Sequence, residues 1–156
     1  MINIVIPDIM KMVFALILGF VFSFVGFSQS WLPDVIEFTS QAQIDSFQVN
    51  YPNCSEIEGD VIIYTSEWGD ITNLNGLSIL TSIGGNLEIF NYEFGASSYL
   101  LSLAGLEGIT AIGGDLIICN NSTLTNLSGL DNLISVGGNL YIGNDEYGGN
   151  YNSPYS

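Results

Sequence analysis

The chain has 156 residues, with 16 carboxylates, one Lys or Arg and no His, for a formal net charge of −15 at pH 7. That length suits one domain and hardly two. Without His and with a single cation, Ser-His-Asp triads, His-bound metals and Lys or Arg chemistry are excluded. The acidity excludes nucleic acid and anionic membrane surfaces as partners, because both would repel it.

Lys11 precedes an unbroken apolar run, "MVFALILGFVFSFVGF", that ends in Ser28-Gln29-Ser30. A cationic lead, an apolar core of about 15 residues and small residues near the cut are the parts of a secretory signal peptide. The run is shorter than the about 20 residues that span a bilayer, which leaves an uncleaved anchor as the weaker alternative. Residues 1–30 are therefore assigned to a signal peptide, with Met10 a more natural start than Met1 and cleavage after Ser28 or Ser30. Lys11 goes with it, so the mature part keeps 15 acids, all but Asp8, and no cation with which to form a salt bridge. The expected location is secreted or cell-surface.

Residues 31–52 read as an N-terminal linker and a capping helix. In "SQAQIDSFQVNYP", Ser40 and Gln43 have capping-box spacing, Ile44 and Phe47 share a face, and Pro52 follows the end. Residues 53–145 read as repeats. "TSIGGNLEI", "TAIGGDLII" and "SVGGNLYI" are one motif, "SEIEGDVII" is a looser copy, and "LNGLSIL", "LAGLEGI" and "LSGLDNL" precede the last three. Three full repeats share six aliphatic columns, the first occupied by Leu74, Leu77, Leu80, Ile83, Leu87 and Ile89, and all eighteen positions are Leu, Ile or Val. The motif residues Ile57, Ile83, Ile112 and Val136 are spaced by 26, 29 and 24, while the interval from the GL leucine stays at six. All length variation thus falls just after the strand, as in a β-solenoid whose insertions loop out on one edge. Within "GGNLEIFN", alternation points Leu87, Ile89 and Asn91 inward and Glu88 and Phe90 outward. The glycine pair is read as a tight corner that a Cβ would resist. Residues 146–156 read as a polar tail or truncated repeat.

At this point the pattern resembles the receptor L domain, the leucine-rich β-helix of insulin- and EGF-receptor ectodomains. It is still more similar to bacterial cell-surface proteins that carry such repeats behind a signal peptide. The resemblance rests on "NCSEIEGDVII" followed by GL-x-x-L-x-x-I-GG-N-L-x-I turns and covers residues 40 to 145. It implies an all-β fold, a right-handed parallel β-solenoid with one strand per 24–29-residue turn, and an extracellular recognition or adhesion role. No upstream cysteine pairs with Cys54, and no cysteine-rich module, second L domain or kinase is present, so receptor signalling is not carried over.

Four sets of residues are candidates for chemistry. Cys54 falls in the column of Leu80, Ile109 and Leu133, while Cys119 falls in the outward column of Tyr64 and Phe90, which argues against a disulfide between them. Asp60, Asn86, Asp115 and Asn139 form an Asx column after the glycines, and Asn91, Asn120 and Asn144 form another past the strand. A hydrogen-bonding ladder is the favoured reading. Calcium binding, with Asp60 and Asp115 as weak candidates, is the alternative. Glu67-Trp68-Gly69, Glu93-Phe94-Gly95 and Glu146-Tyr147-Gly148 recur at one offset after the strand, and the third turn breaks the series at Ser122, Thr123 and Leu124. An aromatic beside a carboxylate can stack on a sugar or grip a cation, although such an aromatic can also tuck against its own coil. The outward strand face, with Ile62, Tyr64, Glu88, Phe90, Ile117, Cys119 and Tyr141, is unusually apolar for an exposed sheet.

These features point to a non-catalytic recognition or adhesion module without a cofactor. Its ligand-binding candidates are Glu67, Trp68, Glu93, Phe94, Glu146, Tyr147, Tyr64, Phe90 and Tyr141. The expected partner is an extracellular protein or glycan, with a cationic surface, or a copy of the chain at an open C-terminal end, as further options. A passive spacer or a piece of a larger surface protein is the alternative. A polysaccharide-active β-helix enzyme is remote, because lyase chemistry wants a cationic base or charge neutraliser.

Overall fold

The computed structural model describes residues 34–65, 70–91 and 98–143. The expected signal peptide and the tail at 146–156 lie outside them. Nine strands and one α-helix are described: β1 (Val35–Phe38), α1 (Gln41–Asn50), β2 (Glu56–Ile57), β3 (Asp60–Tyr64), β4 (Ser82–Ile83), β5 (Leu87–Phe90), β6 (Ala111–Ile112), β7 (Leu116–Cys119), β8 (Ser135–Val136) and β9 (Leu140–Gly143). They form a five-stranded sheet in the order β1-β3-β5-β7-β9 and a four-stranded sheet in the order β2-β4-β6-β8. Every pairing is parallel.

This corrects the expected fold class, an all-β right-handed solenoid with one strand per turn. The described residues form an α/β-type arrangement of two parallel sheets and a helix, and each repeat contributes two strands rather than one. The physical reason lies in the backbone on either side of the glycines. Gly84 N–H donates to Ile57 O at 2.7 Å, and Gly113 and Gly137 donate likewise to Ile83 O and Ile112 O at 2.8 Å each. Stacking at strand spacing therefore pairs the residues before the glycine corner as well as those after it. A further strand, β1, occupies the segment read as linker, where Phe38 is buried and pairs in register with Ile63.

The helix forms as its residues dictate. Gln43 Oε1 accepts the N–H groups of Thr39 at 2.6 Å and Ser40 at 3.1 Å, satisfying donors at the helix start. Ile44 and Phe47 are fully buried, and Phe47 meets Phe38 edge-on with ring centroids 5.9 Å apart. Gln41 ties the helix to the first repeat. Its backbone N–H donates to Asp70 Oδ1 at 2.6 Å, while its Oε1 accepts from the N–H groups of Thr72 and Asn73.

The aliphatic columns fill the space between the sheets. All twelve column positions of the first two full repeats are buried, from Leu74 to Ile118. The third repeat uses the same residue types but is less shielded: Leu130, Leu133 and Val136 pack partly buried against the core, while Leu127 is 38%, Leu140 62% and Ile142 46% exposed. A seventh column, Ile71, Leu100 and Leu124, lies three residues before the first, with Ile71 and Leu100 buried and Leu124 packed partly against the core.

The glycine pairs serve close approach rather than a left-handed turn. Positive φ among the described glycines occurs at Gly105 and Gly129 of the GL segments, not at the pairs. A Cβ on Gly113 would overlap Gly84 O, and one on Gly114 would overlap Asn86 Oδ1. Each pair is thus set by the repeat before it, which corrects the corner reading.

Candidate functional site

The outward face of the five-stranded sheet carries the candidate residues that the structure describes. Strand register aligns them in two rows. One runs Glu37, Ile62, Glu88, Ile117, Tyr141, and the other runs Tyr64, Phe90, Cys119, Gly143. Tyr64 and Phe90 are brought together, with ring centroids 5.1 Å apart and planes at 68° in an edge-to-face pair. Tyr141 is not brought to them. It stands in the other row and two strands beyond Phe90, roughly 10 Å away across the sheet at ordinary strand spacing.

The face is less open than its composition suggests. Ile62, Ile117 and Cys119 are buried, while Tyr64, Glu88, Phe90 and Tyr141 are half-buried. Shorter side chains on a flat sheet are shaded by larger ones at the same register about 4.8 Å away. Cys119, read as outward, has Phe90 at its register on one side. Cys54 is half-buried against the core, its Sγ 3.4 Å from Glu56 O, and no disulfide joins the two cysteines. Burial pushes the Cys54 thiol up, against a smaller lowering by that backbone contact.

Glu88 lies at the centre of the face between Ile62 and Ile117. Burial raises its carboxyl above the usual carboxylate range, and the nearby charges of Asp60 and Asp115 raise it further. A hydrogen bond from the Asn86 side chain opposes them.

The Asx column behind this face is a ladder. Asp60 Oδ1 accepts the N–H of Asn86 at 2.7 Å, Asn86 Oδ1 accepts that of Asp115 at 2.8 Å, and Asp115 Oδ1 accepts that of Asn139 at 2.6 Å. The weak calcium candidates Asp60 and Asp115 are therefore joined through the Asn86 rung, each with an oxygen engaged by the next repeat. Among the described residues no group of three or more His, Cys, Asp or Glu is placed to hold a metal ion.

Asn121 was not among the sequence candidates, yet it organises the strand ends. Its Oδ1 accepts from Thr65 Oγ1 at 2.6 Å and Ser98 Oγ at 3.2 Å, and its Nδ2 donates to Ile89 O and Cys119 O at 2.9 Å each. Thr123 Oγ1 donates to Ser98 O and Leu100 O. A left-handed Asn120, φ 57°, turns Asn121 inward. The signal was the break in the Glu-aromatic-Gly series: where that motif is missing, the chain folds in as a buried polar plug. Glu67, Trp68, Glu93, Phe94, Glu146 and Tyr147, with Asn144, lie outside the described residues.

No family model, curated protein or solved structure matches the chain.

Proposed function

We propose that this chain is a secreted or cell-surface recognition module, non-catalytic, which engages an extracellular protein or glycan through the outward face of its five-stranded sheet. The observation that carries this reading is the Tyr64–Phe90 edge-to-face pair, set one row from Glu88 on a face that also carries Ile62, Ile117 and Tyr141. Two half-exposed rings supply a stacking platform, and a carboxylate with a raised proton affinity supplies an acceptor for hydroxyls or a counter-charge for a cation. The receptor L-domain resemblance of the repeats supports the same class. So does the leader-like run at 12–27 in the sequence.

A second reading, a passive spacer, is favoured by one observation: Ile62, Ile117 and Cys119 are already shielded, so part of the face is closed. Binding of the purified protein to arrayed glycans and to cell-surface extracts separates the two. Phe90→Ala and Tyr64→Ala should each weaken a detected interaction by about tenfold or more, as truncating a central aromatic contact does. Binding that both variants leave intact would refute this face, and no binding to any glycan or extract would favour the spacer. N-terminal sequencing of the exported protein tests the location, since a start after Ser28 or Ser30 is expected.

A further inference from the structure

Four Asn-x-Ser/Thr sequons stand in the chain, at Asn53, Asn120, Asn121 and Asn126, and the fold treats them differently. Asn121 is buried in the polar plug, where its Nδ2 donates to Ile89 O and Cys119 O. Asn120 is half-buried, and its Nδ2 donates to Asn91 O at 3.3 Å. Asn126 is exposed, but its Oδ1 accepts both the N–H and the hydroxyl of Ser128, the third residue of its own sequon. The same position caps the same turn in the earlier repeats. There Asn73 Oδ1 accepts the Asn75 N–H at 3.2 Å and Ser102 Oγ accepts the Ala104 N–H at 3.1 Å, and neither stretch is a sequon. Asn126 is thus accounted for as a cap.

Asn53 differs. It is the third residue of the turn Tyr51–Cys54, closed by Cys54 N–H to Tyr51 O at 3.2 Å. Pro52 in second place and a φ of 70° at Asn53 meet the needs of a type II turn, which asks for the backbone of Gly or Asn and nothing of the amide. Residues 51–53 are exposed, and among the described residues nothing hydrogen-bonds the Asn53 side chain. Cys54 turns to the core, its Sγ 3.4 Å from Glu56 O. Ser55 O is held by Thr81 N–H at 2.7 Å and Thr81 Oγ1 at 3.0 Å, while the Ser55 hydroxyl bonds none of the described residues. In this sequon alone, the fold uses neither the amide nor the hydroxyl.

We infer that Asn53 is an acceptor site for an N-linked glycan, whose donor is an oligosaccharide joined through a diphosphate to a polyisoprenoid lipid. Asn53 Nδ2 attacks the anomeric carbon of the first sugar. The C–N bond forms as the C–O bond to the diphosphate breaks, the lipid diphosphate leaves with the bonding pair, and the nitrogen gives one proton to a base of the transferase. The Ser55 hydroxyl is the group by which the sequon is recognised, since a hydroxyl is what Ser and Thr share. Transfer at Asn53 breaks no hydrogen bond of its side chain, whereas transfer at Asn121 would break the two that its Nδ2 donates. A bulky, solvated group also suits an exposed turn. The site rests on the reading of the chain as exported, where such donors and transferases act.

The test is transfer in vitro. Folded protein expressed from the full-length sequence is incubated with a synthetic lipid-linked oligosaccharide and a single-subunit oligosaccharyltransferase that accepts the plain Asn-x-Ser/Thr sequon. Intact mass and peptide mapping read the product. One oligosaccharide per chain, at Asn53, is expected. Asn53→Gly keeps the φ that the turn needs, and Ser55→Ala keeps the Asn53 amide; each should abolish the product, and Ser55→Thr should retain it. No transfer, a second oligosaccharide on the folded chain, or transfer to Asn120, Asn121 or Asn126 in place of Asn53 would each overturn the inference. Donor and enzyme are supplied, so the outcome holds whether or not a cell exports the chain, which N-terminal sequencing decides separately.

Discussion

Replacing Asn86 with Ala removes the middle rung of the Asx ladder. Its Oδ1 accepts the Asp115 N–H at 2.8 Å in a partly buried position, and it fills the space that the missing Cβ of Gly114 leaves open. Losing the acceptor orphans a partly buried donor, which costs about 1–3 kcal/mol. For a domain of about 100 residues that corresponds to a fall in Tm of roughly 5–20 °C. Asn139→Ala provides the internal comparison. The Asn139 side chain is exposed and only donates back to Asp115 Oδ1 at 3.2 Å, so its loss should stay within about 0.5 kcal/mol. Asn86→Asp separates acceptor from charge, since it keeps the oxygen but adds a carboxylate near Asp60, Glu88 and Asp115. Its loss should shrink as salt rises, whereas that of Asn86→Ala should not. Urea unfolding followed by circular dichroism measures all three. Equal losses for Asn86→Ala and Asn139→Ala, or a loss below about 0.5 kcal/mol at Asn86, would refute the ladder as a source of stability.

Glu88→Gln should stabilise the protein at neutral pH, by less than about 1 kcal/mol because solvent screens a half-exposed group. With its folded pKa raised, Glu88 holds its proton in the native state to higher pH than in the unfolded chain. Wild-type stability therefore falls as pH rises through that window, and the advantage of the Gln variant should vanish below it. A gap that widens on acidification would contradict this. Raising salt from low to moderate ionic strength should raise Tm by screening the uncompensated carboxylates, and calcium should act no more strongly than magnesium at matched ionic strength. Leu106→Ala, at a buried column position, should cost about 2–5 kcal/mol, while Leu140→Ala, at a column position that is 62% exposed, should cost under about 1 kcal/mol. Native-state alkylation of Cys54 and Cys119 should be slow, and masses after denaturing alkylation should be the same with and without reductant.

The periodicity in the sequence made the stacking legible, since identical columns can be buried only if repeats lie in register. The Leu87–Leu116–Leu140 and Ile89–Ile118–Ile142 pairings follow from it. The helix was legible through Ser40, Gln43, Ile44 and Phe47, because caps and faces are local. What stayed hidden depended on proximity between repeats. The two-residue strands β2, β4, β6 and β8 are too short to carry a pattern of their own and exist because neighbours hydrogen-bond to them. The glycine pairs read as a corner because a sequence shows what a residue permits, not which atom lies over it. The shielding of Cys119 was likewise invisible, since alternation assigns a face but not the size of the neighbours across it. The Tyr64–Phe90 pair followed from register, whereas the separation of Tyr141 required knowing which row each strand end occupies.

The ladder also has a direction. In each rung the side chain of an earlier repeat accepts the N–H of a later one, from Asp60 to Asn86 to Asp115 to Asn139. The glycine donors that follow β4, β6 and β8 likewise point back toward carbonyls already laid down. A ribosome makes the chain in that same order, so each repeat emerges opposite a template whose ladder and corner acceptors are in place, while the five-stranded sheet also donates forward, as Val61 N–H does to Asn86 O. The span to be closed is only the 24–29 residues between repeats, whatever their number. Vectorial synthesis and vectorial assembly thus coincide, and adding or removing one whole repeat changes neither the template nor the step.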